Sequence, residues 1–313
     1  MNRFIFVIFT IFLFFFMLST PDLVFKGAQD GLMLWFYTVL PTLLPFLVII
    51  NVMLKTNIVC HISRFLHPFF GPLLHVSQNG CFAVLAGFLC GYPMGAKVTA
   101  DLVKQKRISL SEGSYLLSFC NNTSPGFMVS FVICHTIGKP SLVVPSMLIF
   151  LCVPLLLSFL FRHIYSIKKE NRFMVSSGFP SDTNQFSLTV IDDSIMDGFE
   201  TITKVGGYII LFSVLLTLAD ALPVSSHWWT QGILPFLEIT NGVTMIGHGN
   251  LSFPVKYAFI MGLCAFGGFC SAAQTQCMLS GSGLKTLPYI MEKLAAALAT
   301  SFLSYGYIIT MFP

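Results

Sequence analysis

An apolar stretch that is broken by glycine, proline and lysine constrains this chain more than any other feature. The stretch covers residues 87–100 and reads GFLCGYPMGAKVTA. In lipid every backbone N–H and C=O group needs a partner, so a broken helix is tolerated only where protein or water covers the break. We therefore expect this break to face the interior of a membrane protein. Lys97, an ionisable residue at membrane depth, is then a candidate functional residue.

Composition predicts a polytopic membrane protein. Of the 313 residues, 55% are hydrophobic and 10% are charged, whereas soluble domains are about 25% charged. The net charge of +4 is spread over loops without a basic patch, which argues for the lipid bilayer and against nucleic acid as a partner. The nine cysteines show no metal-ligand spacing, so we expect neither a metal site nor a cofactor.

Apolar segments along the chain predict the membrane helices. The segments are 31–54, 110–137, 140–161, 195–218, 257–279 and 287–312. Residues 4–18 predict a short retained helix because no small-residue cleavage pattern follows, with a signal peptide as the alternative.

Polar and amphipathic stretches separate these segments. Residues 22–30 are expected to form a loop, and residues 162–190 are the long hydrophilic connection. Residues 55–78 predict an amphipathic helix in the membrane interface; their histidines raise the alternative of a metal site, which lacks a completing carboxylate or cysteine. Residues 227–246 contain Trp228 and Trp229 and also predict an interfacial segment.

Two further breaks carry polar side chains. Residues 118–126, in the middle of the segment 110–137, read SFCNNTSPG, and residues 265–277 read AFGGFCSAAQTQC. Broken half-helices present free N–H groups, which suit an anion. The alternative is that the polar side chains only join neighbouring helices.

The two halves of the chain repeat each other. Residues 71–80 resemble residues 234–243, and residues 82–97 resemble residues 257–272. Internal repeats determine architecture more strongly than single motifs. We therefore predict an N-terminal transmembrane helix at 1–27, a first repeat at 28–140, a connecting helix and cytoplasmic loop at 141–190, and a second repeat at 191–313.

The distribution of basic residues predicts that the repeats are inverted. Basic residues cluster at 55–64, 104–107 and 162–172, which places these parts and the amino terminus in the cytoplasm. The segment 31–54 then runs inward and 195–218 runs outward. The fold class is an all-α polytopic membrane protein, an inverted repeat with re-entrant hairpins and broken transmembrane helices. The broken stretches meet near the membrane midplane, as in alternating-access transporters.

Two motifs resemble a known family. GYPMGAK at 91–97 and LLSFCNNTSPGF at 116–127 resemble signatures of the YlbJ-type sporulation integral membrane proteins, within the nucleoside-recognition or gate-domain group; GGFCSAAQ at 267–274 is a weaker match. The resemblance implies a fold similar to concentrative nucleoside transporters. It also implies transport of dipicolinate across the outer forespore membrane of sporulating cells, by a multi-pass protein of the cell membrane.

The residue chemistry suits a small aromatic anion as substrate. Lys97 offsets one carboxylate, backbone N–H groups at the breaks receive the other, and Tyr92 stacks on the ring. In the alternative, Lys97 extends to the cytoplasmic face of the membrane. The predicted substrate-binding residues are Gly91, Tyr92, Pro93, Lys97, Asn121, Asn122, Ser124, Gly268, Gln274 and Gln276.

Other functions stay open at this point. No nucleophile, metal or phosphate-loop motif of an enzyme occurs within a span, so no catalytic residue is predicted. The alternatives are transport of a nucleoside or another small solute, and a membrane assembly protein that transports nothing. Homo-oligomers are not excluded. Asp101, Glu112, Glu200 and Glu292 are equal candidates for carrying a proton.

Overall fold

The computed structural model describes residues 3–56, 58–167, 188–222 and 229–311, and every regular element within these ranges is helical. The predicted all-α membrane protein is thereby confirmed. The α-helices are α1 Arg3–Ser19, α2 Pro21–Leu34, α3 Leu40–Lys55, α4 Ile58–Leu74, α5 Gln78–Leu89, α6 Met94–Lys104, α7 Leu110–Cys120, α8 Val143–Ile164, α9 Leu188–Asp220, α10 Ile239–His248, α11 Phe253–Phe266, α12 Gly268–Leu279 and α13 Thr286–Met311.

Five stretches of these described helices are long and apolar enough to cross a membrane. They are Pro21–Lys55, Pro140–Ile164, Leu188–Asp220, Phe253–Leu279 and Thr286–Met311. A sixth span is added if α4 and α5, which meet at a bend of 89°, count as one broken crossing. The N-terminal α1 has 17 residues, just under the length of about 20 residues that a transmembrane helix usually needs.

The predicted loop at residues 22–30 is wrong, because the chain is already helical there. Pro21 opens α2, and a π-helical turn at Trp35–Val39 joins α2 to α3, so that the first long helix runs from residue 21 to residue 55. Proline is well suited to the first turn of a helix, where its missing N–H would have no partner anyway. The polar residues of this stretch therefore extend a membrane helix instead of ending it.

Glycines let this first helix pack closely on α9. A Cβ atom at Gly27 would lie 2.8 Å from Oγ1 of Thr217, and one at Gly31 would lie 2.8 Å from the Cα atom of Ile210. Further along, the indole N–H of Trp35 donates to the carbonyl oxygen of Ile202 at 3.0 Å. Small residues at a helix interface permit this approach in membranes.

The pairing shows that the two helices are antiparallel. As residue numbers increase along the first helix, the numbers of the α9 residues that it contacts decrease. The last of these contacts is the side-chain amide of Asn51, which donates to the carbonyl oxygen of Ser194 at 3.3 Å. These helices open the two predicted repeats. Their antiparallel packing agrees with repeats of opposite orientation.

The order of elements also repeats between the halves. In each, a long apolar helix is followed by a shorter helical connection, then by a broken helix pair, and then by another long segment. The broken pairs are α5 with α6 and α11 with α12. The last segment of the first half is itself broken, since α7 ends at Cys120 and a helix resumes at residue 125. The exact boundaries of the repeats stay predictions.

Two of the predicted stretches lie partly outside the described residues. The hydrophilic connection includes 168–187, and the interfacial segment 227–246 includes Trp228. The described remainder of the interfacial segment forms short turns at Trp229–Ile233 and Leu234–Phe236, followed by α10.

Candidate transport site

Three chain breaks meet in the interior and form the candidate site. The first separates α5 from α6 at residues 90–93, the second follows α7 at residues 121–124, and the third separates α11 from α12. Gly91, Gly267 and Gly268 have φ angles of 85°, 89° and 80°. This is a left-handed conformation that glycine adopts without steric cost.

The glycines of the first break let it contact the second. A Cβ atom at Gly87 would lie 1.7 Å from the carbonyl oxygen of Cys120, one at Gly95 would lie 2.4 Å from the same oxygen, and one at Gly91 would lie 2.7 Å from the amide nitrogen of Ser124. No side chain fits at such distances. Gly87, Gly91 and Gly95 therefore allow the backbones of the first and second breaks to pack closely.

Hydroxyl groups of the first half donate hydrogen bonds to the backbone at the third break. Because α11 ends at Phe266, its last carbonyl groups lack helical donors. The hydroxyl of Thr123 donates to the carbonyl oxygen of Cys264 at 2.7 Å, and the hydroxyl of Tyr92 donates to that of Ala265 at 3.0 Å. The freed backbone groups of one half are thus satisfied by side chains of the other half, as a dry membrane interior requires.

Asn121 joins three helices at the second break. Its side-chain oxygen accepts from the amide of Ala96 at 3.2 Å, and its side-chain nitrogen donates to the hydroxyls of Thr275 and Tyr289, each at 2.9 Å. The residue is fully buried. Every polar atom of the side chain is therefore occupied within the protein.

A buried lysine of α13 lies behind the same break. Lys293 is 1% exposed and donates to the carbonyl oxygen of Asn121 at 2.9 Å and to the side-chain oxygen of Asn122 at 3.0 Å. Its Nζ atom also lies 5.2 Å from the centroid of the Tyr92 ring, within the range of a cation–π interaction. Lys293 is thus the lysine that lies at the centre of the breaks.

A cavity of about 120 Å³ opens beside the breaks. One water molecule needs about 10–15 Å³ by this measure, so the space is sufficient for several waters or a small solute. Both halves supply its walls. The lining residues are Thr38, Val39, Thr42, Leu43, Cys90, Gly91, Tyr92, Thr123, Ser124, Phe127, Val205, Ile209, Glu238, Ile239, Thr240, Cys270, Ser271 and Gln274.

The electrostatics of the cavity combine helix N-termini with one carboxylate. The first turns of α10, of α12 and of the helix that resumes after Ser124 contribute lining residues, and helix N-termini carry a partial positive charge. Glu238 is 3% exposed, and its carboxylate accepts from the backbone amide of Asn241 at 2.8 Å. No lysine, arginine or histidine occurs among the described lining residues.

The structure brings some of the predicted residues to the cavity. Gly91, Tyr92, Ser124 and Gln274 line it. The hydroxyl of Ser124 accepts from the amide of Phe127 at 3.2 Å and so begins the next helix.

Four other predicted residues support the cavity from behind. Asn121 and Asn122 are buried next to Lys293. Pro93 precedes the first residue of α6. Gly268 opens α12, where a Cβ atom would lie 3.1 Å from the carbonyl oxygen of Phe236.

Lys97 and Gln276 lie outside this arrangement. Lys97 pairs with Asp101 one turn further along α6, with 2.9 Å between Nζ and Oδ2, and it does not line the cavity. Gln276 is exposed on the opposite face of α12 from Gln274. A helical turn of 3.6 residues places positions two apart on different faces, so only one of the two glutamines can turn inward.

Sequence reasoning did not assign Lys293 or Glu238 to the site. The signal for Lys293 was present, since an adjacent acid and base within a transmembrane helix points to a polar surrounding. For Glu238 the sequence shows only a carboxylate near a helix start. Its approach to the breaks depends on how α10 packs against α11 and α12.

The fold and the cavity define a polytopic helical membrane protein whose two halves enclose a site at broken helices. Residues 36–139 match the protein-family model described as "Gate: Nucleoside recognition". The match covers the first long helix from residue 36 onward and the first two breaks.

The chain is also similar to a curated protein of Bacillus subtilis (strain 168), "Sporulation integral membrane protein YlbJ". The two are 27% identical over 309 residues, an alignment that covers 88% of this chain and 76% of that protein. The resemblance to YlbJ-type proteins of the gate-domain group is thereby confirmed. No solved structure matches the chain significantly.

Proposed function

We propose that this protein is a carrier that moves a small solute across a membrane by alternating access. The observation that carries the proposal is the cavity between the halves, where three breaks place freed backbone groups and uncharged polar side chains. Breaks of this kind are costly in lipid, and an assembly protein gains nothing from them. Secondary transporters use such discontinuous helices to bind substrate.

The contacts across the breaks support the alternating-access mechanism. The hydrogen bonds from Tyr92 to Ala265 and from Thr123 to Cys264 join opposite halves beside the cavity. Rocking of one half against the other would exchange these contacts for water or substrate. The halves are otherwise held by long antiparallel helices, and such packing suits rigid-body movement.

For the substrate we propose dipicolinate, carried across the outer forespore membrane during sporulation. Support comes from the resemblance to sporulation proteins, from the Tyr92 ring beside the cavity, and from the helix N-termini that line it. Lys293, behind the Tyr92 ring, supplies the positive charge that the sequence attributed to Lys97.

A nucleoside is the second candidate substrate. It is favoured by the lining itself, which contains amide and hydroxyl groups and Glu238 but, among the described residues, no basic side chain. The description of the matching family, nucleoside recognition, points the same way.

Uptake by proteoliposomes tests the proposal. Purified protein is reconstituted, and accumulation of radiolabelled dipicolinate is followed with unlabelled uridine as competitor, and then with the labels exchanged. Saturable dipicolinate uptake that uridine does not inhibit supports the proposed substrate, whereas saturable uridine uptake without dipicolinate uptake supports the second candidate. If folded protein moves neither compound under proton or sodium gradients, the carrier proposal is wrong and an assembly protein is the better reading.

A further inference from the structure

A second cavity, of about 310 Å³, lies on the other side of the buried network around Asn121. It is bounded by the start of α7, the end of α8 and the start of α13, and its lining residues are Leu110, Ser114, Leu117, Tyr165, Gly283, Lys285, Pro288, Tyr289 and Glu292. Tyr289 lines this cavity and also accepts a hydrogen bond from Asn121. In the predicted orientation the start of α7 and the end of α8, which follow and precede basic clusters, lie on the cytoplasmic side.

Glu292 is the unusual group of this second cavity. The residue is 8% exposed, and one carboxylate oxygen accepts a hydrogen bond from the hydroxyl of Tyr165. The other oxygen, Oε2, is buried and has no hydrogen-bond partner in the described part of the chain. A buried carboxylate with an unsatisfied oxygen is costly when charged. The Oε2 atom can therefore bind one more partner.

The surrounding groups favour a proton as that partner. Four polar side chains line the cavity around Glu292. They are Ser114 of α7, Tyr165 at the end of α8, Lys285 in the turn before α13, and Tyr289 of α13. Lys293, the next residue along α13, turns away to Asn121 and Asn122. A metal cation would need several oxygen ligands, whereas a proton needs only the free oxygen.

We propose that Glu292 is the proton-binding site that couples transport to a proton gradient, loaded from the second cavity. The carboxylate takes up one proton from water on that side and becomes a neutral carboxylic acid, and it returns the proton when the halves rearrange. Lys293 links this event to the first cavity, because it contacts the second break and lies beside Tyr92. The inference rests on the proposed carrier function.

The first test compares uptake with and without an inward proton gradient, using radiolabelled dipicolinate and uridine as probes. Wild-type protein is expected to accumulate substrate several-fold more with the gradient. In Glu292→Gln, which mimics the protonated acid, the ratio of the two uptake values is expected to fall to about one. Glu200→Gln is the matched control, since Glu200 is exposed and pairs with Lys204 on α9, and its ratio should equal that of wild type.

A second variant guards against a folding defect. Tyr165→Phe removes the hydroxyl that donates to the carboxylate and so disfavours the charged form. It should shift the pH of half-maximal uptake upward while thermal unfolding in detergent stays close to wild type. Gradient-independent uptake by wild type, or an unchanged ratio in Glu292→Gln, overturns the proposal.

A transport-free measurement separates this inference from the carrier function. Infrared difference spectra recorded during a pH titration should show a carboxylic acid band that disappears in Glu292→Gln and persists in Glu200→Gln. If wild type moves neither solute but the band is present, the carrier function fails while proton binding at Glu292 stands and only its coupling role is lost. If Glu292→Gln removes no band, proton binding at Glu292 is refuted.

Discussion

The two cavities differ in the hydrogen bonds that their buried carboxyl groups make. In the first cavity the Glu238 carboxyl group accepts a hydrogen bond from the backbone amide of Asn241 and so caps the start of α10. In the second cavity Glu292 keeps one oxygen without a partner among the described residues. This difference is the basis for proposing a solute in the first cavity and an exchangeable proton in the second. Asn121, Tyr289 and Lys293 form the partition between them.

Replacing the lysine of the partition should have the largest effect. Lys293→Met leaves the carbonyl oxygen of Asn121 and the side-chain oxygen of Asn122 without their donor, at a cost of about 1–3 kcal/mol for each buried acceptor. We expect a marked fall in thermal stability in detergent and loss of most uptake. Lys256→Met is the control, because Lys256 donates to the carbonyl oxygen of Gly247 away from both cavities. Equal losses in the two variants would refute a special role for the partition.

A methyl group at the first break should have the next largest effect. Gly91→Ala forces a side chain into a left-handed conformation, and its Cβ atom would lie 2.7 Å from the amide nitrogen of Ser124. The strain is about 1–3 kcal/mol, and uptake should fall by about tenfold. Gly126→Ala, where a Cβ atom would meet nothing within 4 Å, should transport normally. Normal uptake by Gly91→Ala would show that the break does not shape the site.

Removing the amide of the partition should have an intermediate effect. Asn121→Ala leaves the buried amide of Ala96 without its acceptor, which costs about 1–3 kcal/mol. We expect a lower unfolding temperature and weaker uptake, with both measured beside Gln276→Ala on the exposed face of α12. Lost uptake with unchanged stability would instead indicate that Asn121 contacts substrate directly.

A hydroxyl deletion beside the first cavity should have a smaller effect. Tyr92→Phe removes the hydrogen bond to the carbonyl oxygen of Ala265, worth about 0.5–1.5 kcal/mol, and keeps the ring. Substrate affinity, measured from the concentration dependence of uptake, should change little, as in the exposed control Tyr37→Phe. A large loss of affinity would place the hydroxyl, and not the ring, at the substrate.

The smallest effect is expected at Lys97, which the sequence favoured. Lys97→Met removes only the ion pair with Asp101, and partly exposed pairs contribute about 0–1 kcal/mol. Uptake of dipicolinate should stay close to wild type, as it should in the matched variant Asp101→Asn. A strong loss in Lys97→Met alone would return Lys97 to the binding site and weaken the assignment of the positive charge to Lys293.

The sequence by itself determined the fold class and the positions of the breaks. Apolar length sets the number of crossings, and glycine, proline and amide residues cannot continue a helix in lipid without covering partners. These properties are local in the chain, so the breaks at Gly91, Asn121 and Gly268 were found in the right places. The polar stretch 22–30 misled because close packing of Gly27 and Gly31 on α9 keeps it helical.

Only the tertiary structure decided which charges lie at the breaks. Lys97 and Lys293 are both lysines within membrane segments. The residues next to them in the sequence do not reveal that Lys97 pairs with Asp101 one turn away, whereas Lys293 is buried against another helix. That difference depends on which face of α6 or α13 meets the second break, more than 170 residues away along the chain for Lys293. Helix packing between the halves decides which lysine lies at the breaks and which side chains separate the two cavities.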